Sequence, residues 1–89
     1  MMVDEIKLAL RISKSTKDLD TEILALENAC IVDMKLTGVV NVDLGNALIR
    51  QAIKTYCKAH FGNDPNSEKY KQSYEKMRDT LALAGDINV

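Results

Sequence analysis

The sequence has no tryptophan, one proline, one histidine, four glycines and two cysteines. Each scarcity excludes something. Cys30 and Cys57 are too few for the disulfide framework of a small secreted domain. Gly38, Gly45, Gly62 and Gly85 are scattered and match neither a P-loop nor a GxGxxG turn, so no loop is built to cradle phosphate. No apolar run approaches the roughly 18 residues that a membrane span needs. The opening MMVDEIKLALRISK has acids near its start and no uninterrupted apolar core, so it does not read as a secretory leader. The expectation is a soluble, cytoplasmically made protein with free thiols and no place in a membrane. A charge excess is missing too. Twelve Lys and Arg face thirteen Asp and Glu, a net charge of −1, so there is no global pull toward nucleic acid.

What is present is an ordinary folding chain, 46% hydrophobic and 28% charged. Its 89 residues make a single domain, 1–89. A chain this short buries only roughly 60–65% of its unfolded surface. Its stability is therefore expected to be modest and to gain from docking on copies of itself or on partners.

The apolar pattern is helical. Residues 3–12 carry a short apolar face built from Ile6, Ala9 and Leu10, or from Leu8, Ala9 and Ile12. The polar stretch 13–18 turns the chain, and Asp18 or Asp20 can cap the next helix. That helix, 19–36, has Leu19, Ile23, Leu26, Cys30 and Met34 on one face and Ala25, Ala29, Val32 and Leu36 on another. Apolar nearly all round, it reads as a central, buried helix that Gly38 terminates. An extended linker, 39–43, ends in Asp43 as the cap of a third helix over 44–61. Leu48, Ile49, Ala52, Ile53, Tyr56, Ala59 and His60 form its broad apolar face, and Arg50, Gln51, Lys54 and Lys58 the opposite side. Pro65 forces a turn. Asp64 or Asn66 then starts a fourth helix to about Ala84, with the stripe Tyr70, Tyr74, Met77, Leu81 and Ala84. Residues 85–89 lack periodicity and read as a flexible tail. The fold class is all-α, a small four-helix domain whose two long last helices form a hairpin.

The chemistry-bearing residues gather around that hairpin. Cys57 and His60 sit on adjacent turns, but zinc needs three or four ligands and no CxxC or HxxxH supplies the rest. A cysteine nucleophile would also need an oxyanion hole and a pocket, which a helical face does not provide. Tyr70 and Tyr74, four apart, read as core or interface. Arg50, Lys54 and Lys58 form a basic strip, by default a solvated face and otherwise a contact for an acidic partner or DNA. Neither a catalytic, a metal nor a cofactor site is expected.

From residue 18 onward the chain resembles the small helical head–tail connector proteins of tailed bacteriophages, also described as DNA-packaging or head-completion proteins. The segments that carry the resemblance are DLDTEILALENACIVDMKLTGV, the helix ending LIRQAIKTYCKAHFG, a short Asp/Pro/Asn turn and a helix opening EKYKQSYEKM. The resemblance implies a structural protein of the virion's head–tail junction, without cofactor or catalysis. It implies a homo-oligomeric, dodecameric ring at the portal vertex, joining the DNA-filled head to the tail. The partners would be copies of itself, the portal protein and the next head-completion or tail protein, with DNA passing through the channel without specific binding. Tyr56, Cys57, His60 and Phe61 would then pack against Tyr70, Tyr74, Met77 and Leu81 as a helical hinge. Partner contacts would fall on Arg50, Lys54 and Lys58 or on segments 39–43 and 85–89. The alternative is a small helical DNA-binding regulator, for which Asn46 and Arg50 are the candidate base-reading residues.

Overall fold

A computed structural model describes residues 2–87. Among them the chain forms four α-helices and no strand: α1 (Val3–Ala9), α2 (Asp20–Leu36), α3 (Ala47–His60) and α4 (Ser67–Ile87). The all-α architecture with a C-terminal α3–α4 hairpin is the one the sequence pattern predicts. At 1.5 Å per residue α4 is about 31 Å long and α3 about 21 Å, in a molecule of 42 × 26 × 19 Å.

The helix ends differ from expectation for local reasons. α1 stops at Ala9 rather than near 12 because the chain turns left-handed at Arg11, φ 61°. Arg11 N–H donates to the Leu8 carbonyl at 3.1 Å and Ile12 N–H to the Lys7 carbonyl at 2.9 Å. That bond pair is a Schellman ending. α2 ends the same way: Gly38, φ 104°, donates to Lys35 at 3.3 Å and Val39 donates to Met34 at 2.9 Å. Glycine takes the left-handed position in one helix and arginine in the other.

α2 starts without a side-chain cap, with Leu19 at the cap position. The cap of α3 is Asn46, not Asp43. Its Oδ1 accepts from the N–H groups of Leu48 and Ile49 at 2.8 and 3.2 Å. Asp43 is used one turn earlier, accepting from Gly45 N–H at 2.9 Å in the tight turn that delivers Asn46. Asp64 does the same before α4, accepting from Asn66 N–H at 2.7 Å, and Tyr70 N–H closes the first turn on the Asn66 carbonyl at 3.0 Å. α4 continues to Ile87, through part of the segment 85–89 expected as a tail; residues 88 and 89 lie outside the described residues.

The centre of the molecule is α3, not α2. Ile49, Ala52, Ile53 and Cys57 are buried on it, and it packs against each of the other helices, most extensively α4. α2 buries Ile23, Cys30 and Met34, but its second apolar face is uncovered: Val32 is 55% and Leu36 82% exposed. α1 adds Met2 and Ile6, while Leu8 points outward. The periodicity located both faces of α2 correctly. It did not reveal which of them the other helices cover.

Two charges lie inside. Glu27 shares the buried face of α2 with Ile23 and Cys30, and its Oε1 accepts from Met2 N–H at 3.0 Å, anchoring the start of α1. Lys7 is fully buried. Its ammonium donates to the Thr16 carbonyl and pairs with Asp20, so one lysine ties α1, the 13–18 loop and the start of α2 together. Asp20 Oδ1 meets that ammonium as an ion pair and accepts no well-aligned hydrogen bond.

Candidate functional site

The hinge between α3 and α4 brings several of the singled-out residues together, in different environments. Cys57 faces the core with zero exposure, whereas His60, one turn on, is exposed and stacks on Tyr56 with ring centroids 4.3 Å apart. Tyr56 in turn meets the edge of Tyr74 at 5.0 Å. Phe61, Met77 and Leu81 are partly buried against the core. Tyr70 receives the Lys58 ammonium over its ring at 5.6 Å, a cation–π contact.

The chemistry of this cluster is that of packing. Cys30 and Cys57 are both buried and free, and burial pushes each thiol up to about 12. A nucleophilic thiol needs the opposite displacement. Among the described residues no three His, Cys, Asp or Glu side chains come together as a metal site.

The best-made polar contact joins α4 to α2, and sequence reasoning missed it. Tyr74 Oη donates to Asp33 Oδ2 at 2.6 Å, and Arg78 donates to the same oxygen at 3.1 Å. Burial alone would push the Asp33 carboxyl up, but the two hydrogen bonds and the guanidinium charge outweigh it, and Asp33 ionises below the usual carboxylate range. Burial and then the bond to Asp33 raise the Tyr74 phenol far above its ordinary value. The spacing of Tyr74 and Arg78, one turn apart, was visible. Which element would carry their acid was not.

The basic strip is largely engaged within the chain. Glu5 of α1 accepts from Arg50 Nε and Nη2 at 3.1 and 2.8 Å, and Lys54 stands 3.6 Å away. The Arg50 hydrogen bonds hold the Glu5 carboxyl below its ordinary range. Both candidate base-reading residues are thereby occupied, Asn46 as the α3 cap and Arg50 on Glu5.

What the molecule leaves open is apolar surface. Leu48, Gln51, Lys76, Met77, Thr80 and Leu81 line a shallow groove of about 310 Å³ between α3 and α4. Leu48 is 66% exposed, and Leu83, farther along α4, is 61% exposed. Together with the Ala25–Leu36 face of α2, this is surface suited to protein contact.

A family model described as phage connector protein matches residues 2–88. No curated protein and no solved structure matches the chain.

Proposed function

The chain belongs to the phage connector protein family, and from that premise we propose that it is a structural adaptor of the virion. On this reading the whole chain, 1–89, is one connector domain. Copies assemble as a homo-oligomeric ring beneath the portal protein, present a surface to the next head-completion or tail component, and let DNA pass through the channel without specific binding.

The observation that carries the reading is the family match over nearly the whole chain. Physical support comes from the uncovered apolar faces of α2 and of the α3–α4 groove, which a lone small domain has reason to cover by association. A net charge of −1 suits a channel along which DNA slides, because strong phosphate contacts would hold it. The Arg50–Glu5 pair supports the same point: contact of this strip with phosphate would first have to displace an internal carboxylate.

The test is light scattering on a size-exclusion column over a range of protein concentrations, alone and with portal protein. A discrete species many times 9.9 kDa, alone or on the portal, is the expected result. A chain that stays monomeric in both settings and does not sediment with portal or DNA-filled heads sinks the proposal. A salt-dependent, sequence-selective gel shift would favour the regulator instead.

A further inference from the structure

We infer that neighbouring copies join asymmetrically, the exposed stripe of α2 on one copy seating in the α3–α4 groove of the next. This rests on the ring reading above and names the two faces that would build it.

The stripe is Glu22, Ala25, Ala29, Val32 and Leu36, all exposed. Their spacings of three and four residues put them on one line down the helix. Ala25 and Ala29 leave room for another helix to approach closely, and Val32 and Leu36 supply the apolar contact. Along α4 beside the groove, Lys69, Lys76, Thr80 and Leu83 form one exposed line, and Lys76 and Thr80 of it line the groove itself. Both lines span fifteen residues, Glu22 to Leu36 and Lys69 to Leu83, about 21 Å end to end.

Each line is polarised. The stripe starts with an acid and ends in Leu36; the α4 line starts with lysines and ends in Leu83. Among the described residues Glu22, Lys69 and Lys76 form no ion pair within the chain. Laid parallel, the two lines set Glu22 against the lysine end, and Val32 and Leu36 against Leu83 and the groove floor of Met77 and Leu81. Lys35, at the edge of the stripe's apolar end, then approaches the C-terminal part of α4, where helix carbonyls favour a cation.

The symmetric alternatives fit worse. Two stripes related by a two-fold axis meet acid on acid if parallel, or acid on Leu36 if antiparallel. Two grooves likewise meet lysine on lysine or lysine on Leu83. Like charges and unpaired charges at an apolar contact select against such pairings. A contact between two different faces of the same chain is heterologous, the kind that propagates into rings.

Two spoiled chains test this, one with Val32→Lys and Leu36→Lys, the other with Leu48→Glu and Leu83→Glu. All four sites are more than half exposed, so circular dichroism and melting should stay near wild type. Light scattering is run on wild type and variants, with portal protein where wild type needs it. Each spoiled chain alone is expected to stay monomeric, and an equimolar mixture to form a one-to-one heterodimer and nothing larger, because one intact stripe meets one intact groove and both outward faces are spoiled. Should a variant melt early, Glu22→Lys and Lys69→Glu give the same comparison. Each weakens assembly at least tenfold, and the chain carrying both recovers it. A spoiled chain that assembles like wild type, or a mixture and a double exchange that recover nothing, overturns this interface and leaves the ring intact. A wild type that assembles in neither setting overturns the ring, and the interface with it.

Discussion

The Tyr74 hydroxyl donates a 2.6 Å hydrogen bond to Asp33, joining α4 to α2 across 41 residues of chain. α4 otherwise rests mainly on α3. This bond, reinforced by Arg78 on the same oxygen, fixes the hairpin against the rest of the molecule.

Tyr74→Phe keeps the ring in the core and removes only the hydroxyl. A bond to a charged acceptor is worth about 1.5–3 kcal/mol, and Asp33, 36% exposed and still held by Arg78, softens the loss. The expected cost is about 1–2 kcal/mol, which lowers Tm by about 5–10 °C in a domain of this size. A melt unchanged within 1–2 °C would mean the hydroxyl is decorative.

The same contact makes stability pH-dependent, with a definite sign. Asp33 ionises below its ordinary value when folded, so the unfolded chain takes up the proton first as pH falls. The contribution is complete above the ordinary aspartate range, near 3.9, and is lost as pH drops through that range and below. The stability difference between wild type and Asp33→Asn should therefore shrink between pH 6 and pH 3. Urea titrations at each pH measure it, and a constant difference would refute the linkage.

Lys7 and Asp20 should respond unequally. Lys7 is fully buried, whereas the Asp20 side chain is 36% exposed. Removing Asp20 leaves an ammonium inside with only carbonyl partners, at a cost of about 2–4 kcal/mol. Lys7→Met fills the same space and leaves an acid that water can reach, at a cost of about 1 kcal/mol or less. Urea denaturation of Asp20→Ala and Lys7→Met gives the order directly. The reverse order would show that the ammonium's hydrogen bond to Thr16, rather than its burial, dominates.

The two Schellman endings predict opposite effects at equivalent positions. Arg11→Gly relieves a left-handed residue bearing a Cβ and should raise stability by about 1 kcal/mol, while Gly38→Ala should lower it by about 1–2 kcal/mol. At Gly38 the added Cβ would meet only Ala82 Cβ at 3.7 Å, an ordinary contact, so the cost is conformational. Thermal melts of both variants check the pair.

The thiols should be inert while the chain is folded. With Cys30 and Cys57 both near 12, the thiolate fraction at pH 8 falls by about a thousandfold relative to an ordinary thiol, before access is considered. Alkylation followed by mass spectrometry should find no modification in buffer and two modified cysteines in denaturant. Rapid modification of one thiol in the native state would reopen the question of a reactive site.

Helix periodicity and turn chemistry determined much of this protein by themselves: the all-α class, four segments, Gly38 and Gly62 just past the ends of α2 and α3, and the turn at Pro65. These features are legible because each depends on residues within a turn or two of one another. The family resemblance was legible for a related reason, since it rides on helix lengths and residue types in order along the chain. Tertiary structure alone decided the rest. It chose Asn46 over Asp43 as the cap, buried Lys7, gave Asp33 to Tyr74, and turned Arg50 inward to Glu5. It also decided which of two equally apolar faces of α2 meets the core. Periodicity marks a face as apolar but carries no information about what covers it. That depends on which other helices pack there, and among the described residues none covers Val32 and Leu36.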